Sequence, residues 1–248
     1  MTPNRKIDTL SVGELIQQLG ARKIIPTRFS IDLPPDRLAN ALYAAYAAEV
    51  KLRRHEMRLD EDTKSHIRAA AEWLGDPHGK VGFMMTGLYG NGKTTLMAAM
   101  CNLINWLYDS ACSNERRSIR TVKAKDIAWL AIDKDGRKEF EKLYWEDMLA
   151  IDEVGEEPAE IIHYGMVFTP IRDLLEERYA RQKFTIITTN LVQSEKKQLF
   201  QIRDHYGERV VDRMREMMKI VPFHNDSYRP DQKKKQSTTT SKDDKSND

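Results

Sequence analysis

Val81-Gly82-Phe83-Met84-Met85-Thr86 runs without a break into Gly87-Leu88-Tyr89-Gly90-Asn91-Gly92-Lys93-Thr94-Thr95, and an amphipathic stretch from Leu96 to about Leu107 follows. The opening apolar run predicts a buried strand, and the closing stretch predicts a helix. Between them lies the P-loop pattern GxxxxGK[ST] in the strand–loop–helix setting it requires. Gly87, Gly90 and Gly92 allow backbone N–H groups to converge on phosphate oxygens that side chains would obstruct. The helix N-terminus adds a partial positive charge. Lys93 would bring a full charge to the β- and γ-phosphates, and the Thr94 hydroxyl could ligate Mg²⁺. Asn91 and Thr95 complete the loop expected to wrap the phosphates. A glycine-rich turn ahead of an ordinary helix is the competing reading, and the flanking elements weigh against it.

Downstream, Met148-Leu149-Ala150-Ile151-Asp152-Glu153 reads as an apolar strand ending in two carboxylates. Asp152 would hold Mg²⁺ at the C-terminal end of the strand, where ligands of parallel sheets collect. Glu153 would polarise the attacking water as a general base. Alone the pair could be an acidic turn; after a P-loop the catalytic reading is favoured. A small-molecule kinase needs no water-activating Glu here, whereas an ATPase does, and no LSGGQ-like stretch marks an ABC-type ATPase. A third strand candidate, Phe184-Thr185-Ile186-Ile187-Thr188-Thr189-Asn190, ends in an amide that can hydrogen-bond without adding charge. The plainer reading of Asn190 is a turn former. In Tyr206-Gly207-Glu208-Arg209-Val210-Val211-Asp212-Arg213-Met214-Arg215, Arg209 and Arg213 stand i, i+4 on one helix face. Either could aim at a neighbouring subunit's γ-phosphate and stabilise transition-state charge. A solvated basic face paired with Glu208 and Asp212 is the alternative.

Around these motifs the chain divides into three. Residues 1–59 read as a helical N-terminal region for binding a partner. Ser11 and Glu14 fit a capping box, and Val12, Leu15, Ile16 and Leu19 follow at helical spacing until Gly20. That stripe is one docking face, or it packs within its own domain. After a break at Ile25-Pro26, Pro34 and Pro35 sit where a second helix starts, leading into Leu38, Ala41, Leu42, Ala45 and Ala48. Residues 60–229 form the α/β part. Its first helix carries Ile67, Ala70, Ala71 and Leu74 and ends at Gly75 and Pro77, and strand-like runs then alternate with helical patterns. Residues 230–248 hold no large apolar residue and are expected to be a disordered polar tail, with Lys233-Lys234-Lys235 as a solvating run.

Composition excludes several classes. At 40% hydrophobic and 31% charged residues the chain is globular and rather polar. No apolar run approaches the roughly 18 residues of a membrane span. The N-terminus lacks the apolar stretch of a secretory signal. Cys101 and Cys112 show no CxxC pairing, which favours free thiols in a reducing, cytoplasmic setting. A net charge of +2 argues no nucleic-acid binding by itself, so any such binding needs a local patch.

Taken in order, Gly87–Thr95, Leu149-Ala150-Ile151-Asp152-Glu153-Val154-Gly155, Thr188-Thr189-Asn190, Gly207-Glu208-Arg209-Val210-Val211-Asp212-Arg213-Met214 and Asn225-Asp226-Ser227-Tyr228-Arg229 resemble the DnaC/DnaI/IstB family. These are AAA+ ATPases related to the bacterial initiator, and DnaC-type loaders are the most similar. The resemblance implies an α/β core with a central parallel sheet, ATP and Mg²⁺ as ligands, and no C-terminal helical lid. It makes Asn190 the sensor I residue, on a strand between the two Walker strands. It makes Arg213, or Arg209, an arginine finger acting in trans, which requires self-association. DnaC-type members load the replicative hexameric helicase onto DNA; IstB-type members assemble on DNA and assist a transposase. Some members carry a zinc-binding N-terminal domain, which the lack of any cysteine before Cys101 excludes here. Single-stranded DNA binding is implied through the helices after the second core strand. That region is Val122-Lys123-Ala124-Lys125-Asp126-Ile127 with Trp129 nearby, where Lys123 and Lys125 permit phosphate contact. The expectation is an ATP-hydrolysing loader of the replicative helicase. A transposition helper and a non-catalytic ATP-binding adaptor are the alternatives.

Overall fold

The computed structural model describes residues 11–21, 28–109, 118–191 and 200–228. The segment around Ile25-Pro26, Cys112 and the polar tail lie outside them. Ser11 caps the first helix, α1 (Val12–Ala21), as expected: Glu14 N–H donates to Ser11 Oγ at 3.2 Å, and Ser11 N–H donates to Glu14 Oε2 at 2.8 Å. Pro35 opens α2 (Pro35–Leu52), where its fixed φ and missing N–H cost nothing. Asp60 caps α3 (Glu61–Gly75) by accepting from Thr63 N–H at 2.7 Å.

The sheet begins with β1 (Gly82–Gly87), which leads through the P-loop into α4 (Lys93–Leu107). There follow β2 (Arg120–Lys123), α5 (Ala124–Ile132), α6 (Arg137–Trp145) and β3 (Met148–Val154). A small antiparallel hairpin, β4 (Ile161–His163) and β5 (Met166–Phe168), precedes α7 (Pro170–Ala180) and β6 (Phe184–Thr189). The described chain closes with α8 (Phe200–Tyr206), α9 (Glu208–Met217) and β7 (Met218–Phe223). Five strands pair in the order β2-β3-β6-β1-β7, all parallel. β1 and β6 are buried throughout because helices cover both faces of a parallel sheet. Their alternation divides the core in two: Phe83, Met85, Ala150 and Ile186 face α2, α3 and α4, whereas Met84, Leu149, Ile151 and Ile187 face α5, α7 and α9. β6 lies between β1 and β3, as the sensor I reading required. After β7 the chain turns back to the P-loop, and no helical lid follows among the described residues.

The division at residue 59 needs correcting. Leu38, Leu42 and Tyr46 of α2 are buried in the same apolar cluster as Trp73, Leu96 and Met100. The stripe on α2 therefore serves the core of the α/β unit, and the packed body begins near Arg28 instead of Asp60. Val12 and Ile16 of α1 are exposed.

Candidate nucleotide-binding site

At the exit of β1 the backbone does what the glycines permit. Gly87 and Gly92 have φ of 145° and 98°. A Cβ on Gly87 would fall 2.3 Å from Phe223 O, and one on Gly92 would fall 2.8 Å from the Tyr46 hydroxyl. Neither position admits a side chain. Asn91 is almost wholly buried; its Nδ2 donates to Phe223 O at 3.0 Å and its Oδ1 accepts from Lys93 Nζ at 2.9 Å. Its side chain braces the loop from below. Lys93 Nζ also donates to Gly87 O at 2.7 Å and Leu88 O at 2.6 Å. Burial pulls the Lys93 pKa down to about 8, opposed by the charge of Asp152. An ammonium held only by neutral acceptors is suited to receiving an anion.

The carboxylates lie where the strand reading put them. Asp152 Oδ1 accepts from Thr94 Oγ1 at 3.0 Å and from Thr188 Oγ1 at 2.5 Å, which joins the P-loop helix, β3 and β6 at one oxygen. Glu153 stands at φ 60°, a left-handed setting uncommon outside glycine, and its N–H donates to Thr188 Oγ1 at 2.9 Å. Its carboxylate meets Lys123 Nζ at 3.3 Å, and this contact raises the Lys123 pKa. Asn190 Nδ2 donates to Glu156 Oε1 at 3.1 Å, and the Tyr89 hydroxyl donates to the same oxygen at 2.5 Å.

Gly90, Gly92, Lys93, Thr94, Thr95, Glu153 and Asn190 line one pocket of about 320 Å³. Seven of its seventeen lining residues were not anticipated. Tyr46, Val50, Arg53, His55, Glu56 and Arg58, from α2 and the segment after it, face the P-loop, as does Tyr228. Arg53 Nη1 donates to Thr95 Oγ1 at 3.0 Å. Tyr228 N–H donates to Gly90 O at 2.9 Å, and its hydroxyl reaches Asp60 and Thr63. The basic run at the end of α2 was the available signal, since cations beside a P-loop favour a polyphosphate.

Thr94 and Asp152 place a hydroxyl and a carboxylate oxygen side by side, which fits Mg²⁺, a hard cation that keeps several waters at such sites. No group of three or more His, Cys, Asp or Glu that could hold a metal occurs among the described residues, and a nucleotide-bound Mg²⁺ needs none. Arg209 and Arg213 lie outside the pocket of their own chain. They share Glu176 of α7, at 3.6 Å and 2.8 Å, instead of Glu208 and Asp212. Lys125 and Trp129 are exposed on α5. No described helix is long and apolar enough to cross a membrane.

Residues 65–237 match the sequence profile of the IstB-like ATP binding protein family. By structure the chain is similar to the DnaC helicase loader, at 21% identity over 75% of this chain and 98% of that one, with a TM-score of 0.51. It is also similar to a candidate primosome component from Streptococcus pyogenes serotype M3, at 17% identity over 68% of this chain and 84% of that one, with a TM-score of 0.50. No curated protein is similar to it in sequence at a significant level. The structural likeness carries the fold, a P-loop AAA+ core.

Proposed function

The chain belongs to the IstB-like ATP-binding proteins, and from that premise we propose that it hydrolyses ATP while loading a replicative hexameric helicase onto DNA. One observation carries the ATPase reading: the P-loop, Glu153 and Asn190 line a single pocket, and Asp152 lies behind it against Thr94. Lys93 turns its ammonium from the loop carbonyls to the β- and γ-phosphates. Thr94 and Asp152 would hold Mg²⁺, which when bound would neutralise phosphate charge. Glu153 takes the proton of the attacking water, and Asn190 orients that water or the γ-phosphate. Arg213 of a neighbouring copy, with Arg209 as the alternative, completes the charge on the far side.

The helicase reading is supported by the DnaC-like motif order and by α1, whose exposed Val12 and Ile16 suit docking on a partner. The Lys123–Lys125 turn with Trp129 suits single-stranded DNA. The profile match to IstB-like proteins favours a second client, a transposase. Three measurements test these readings. Titration with labelled ATP and Mg²⁺ should saturate, and Glu153→Gln should retain that binding while turnover falls by about a hundredfold or more. A Glu153→Gln protein that hydrolyses at the wild-type rate removes the base assignment. Co-purification with a hexameric helicase, as against a transposase, decides the client.

A further inference from the structure

The turn that carries Glu153 continues into two more acids, Glu156 and Glu157, which reach in opposite directions. Glu156 points to the nucleotide side, accepting from Tyr89 of the P-loop and from Asn190. Glu157 points away and is 3% exposed. Its Oε2 accepts from Gly155 N–H at 2.9 Å, and its Oε1 accepts from the hydroxyl of Tyr206, the last residue of α8. His205 Nε2, buried and without a hydrogen-bond partner, lies 3.8 Å from the same Oε1.

The turn has little freedom of its own. Glu156 N–H donates to Glu153 O at 3.1 Å, and Gly155 has φ 99°. A Cβ on Gly155 would fall 2.6 Å from Leu191, just beyond Asn190. The segment is therefore wedged between the end of the sensor strand and α8. On the far side, Tyr206 is separated from α9 by Gly207 alone, at φ 87° and with open space where a Cβ would stand. The Tyr206 anchor thus stands one residue from the first turn of α9, which carries Arg209.

We propose that Glu157 is a positioning residue whose carboxylate ties the Glu153 turn to Tyr206, so that the settings of Glu153 and of the arginine-bearing helix α9 change together. Burying a carboxylate is costly, and burial does hold its pKa above the usual range. An apolar side chain would staple the turn to α8 at lower cost. The acid at this position instead satisfies two donors from two different elements. Linkage makes the device reciprocal: a nucleotide that resets Glu153 biases α9, and a neighbour that grips α9 biases Glu153 equally in binding free energy. The inference rests on the ATPase reading for its consequence, whereas the tie between turn and helix stands on the contacts alone.

Hydrogen exchange on the full-length protein tests it, with and without AMPPNP and Mg²⁺, in wild type and in Tyr206→Phe, which removes one hydroxyl. Without nucleotide, exchange over residues 153–158 should rise about tenfold in Tyr206→Phe as the Gly155 N–H contact loosens. With AMPPNP, exchange over 208–217 should change in wild type and stay unchanged in Tyr206→Phe. AMPPNP affinity should remain within about twofold, KM for ATP should hold, and kcat should fall about tenfold, a split that general loss of structure would not produce. Glu157→Gln should behave alike, and the double variant should be no worse than the more damaged single one. A nucleotide response of 208–217 that persists in Tyr206→Phe overturns the coupling, as does its absence in wild type that binds AMPPNP. If wild type takes up no AMPPNP, the ATPase reading falls, and unchanged exchange over 153–158 in Tyr206→Phe then removes the tie as well.

Discussion

The two faces of the sheet are built from different chemistry. Toward α2, α3 and α4 the core contains a ring cluster: Trp73 lies 5.0 Å from Phe83 and 4.8 Å from Phe184, and Phe29 meets Phe184 edge-on at 5.3 Å. Toward α5, α7 and α9 it is largely aliphatic, with Leu149, Ile151, Leu174, Leu175, Val210, Val211 and Met214. Both faces bury charge, Glu49 at the α2–α4 contact of the first and, on the second, Glu157 and the wholly buried Arg178, which ties α7 to α6 and β6. Interlocked rings make a stiff platform, and on this platform sits the P-loop helix. Apolar packing with polar ties at chosen points can instead hold elements in register and still let them shift as units. The contrast predicts that nucleotide grip depends on the first face and coupling between elements on the second.

The largest effect should come from the platform. Trp73→Ala removes two ring contacts and the Nε1 donation to Lys80 O at 2.7 Å. We expect about 3–5 kcal/mol of destabilisation and a melting temperature lower by about 10 °C. Nucleotide affinity should weaken with it. A stable Trp73→Ala protein with normal affinity would break the comparison at its root.

Next comes Arg178→Met on the second face. The guanidinium donates to Thr185 Oγ1, Leu143 O and Glu146 O, each at 2.9 Å, and to Phe184 O at 2.7 Å. Burial draws its pKa down to about 10. Methionine would strand three carbonyls but relieve a buried charge, for a net loss of roughly 2–3 kcal/mol. Thermal melting in the presence of ATP separates the two faces: Arg178→Met should keep its full nucleotide-induced stabilisation, whereas Trp73→Ala should not.

Arg178 also shows where reading the chain stops. The P-loop, the carboxylates and the sensor strand were legible because each depends on local order: strand, glycines, helix, then an apolar run with a polar end. The placing of β6 between β1 and β3 came from the family resemblance, since no local pattern gives strand order. Arg178 stands in Glu176-Glu177-Arg178, a charge run that looks like any solvated helix face. Only the fold makes its four acceptors converge, two from the C-terminal end of α6 and two from the start of β6. The α2 wall was hidden for a related reason: an apolar stripe reads the same whether it meets its own core or a partner. Glu157 was hidden too, since the value of a buried acid depends on Tyr206, far along the chain. The hairpin escaped because three-residue strands give no periodicity to read.

A smaller effect tests the rim of the first face. Arg53→Ala removes a cation from the pocket wall and its donation to Thr95. The side chain is half-exposed, so stability should scarcely change while the dissociation constant for ATP rises about fivefold. Unchanged affinity would place the nucleotide elsewhere in the pocket and detach α2 from its binding.

The smallest expected change is also the one that reads the second face at its surface. Lys123 and Glu153 pair at 3.3 Å with side chains 58% and 42% exposed, so water screens the contact and removing it should leave the melting temperature unchanged. The kinetic consequence is separate from stability. Glu153 is already fixed at the backbone by φ 60° and by Thr188, so Lys123 governs only where the carboxylate points. If the lysine restrains it, Lys123→Ala should raise basal turnover about twofold and abolish any stimulation by single-stranded DNA, whose phosphates would otherwise draw the lysine away. A fall in basal turnover would instead make Lys123 a support for the base. The pair would then belong with the polar ties of the interior, and the distinction between buried ties that couple and exposed pairs that merely restrain would fail at this edge of the sheet.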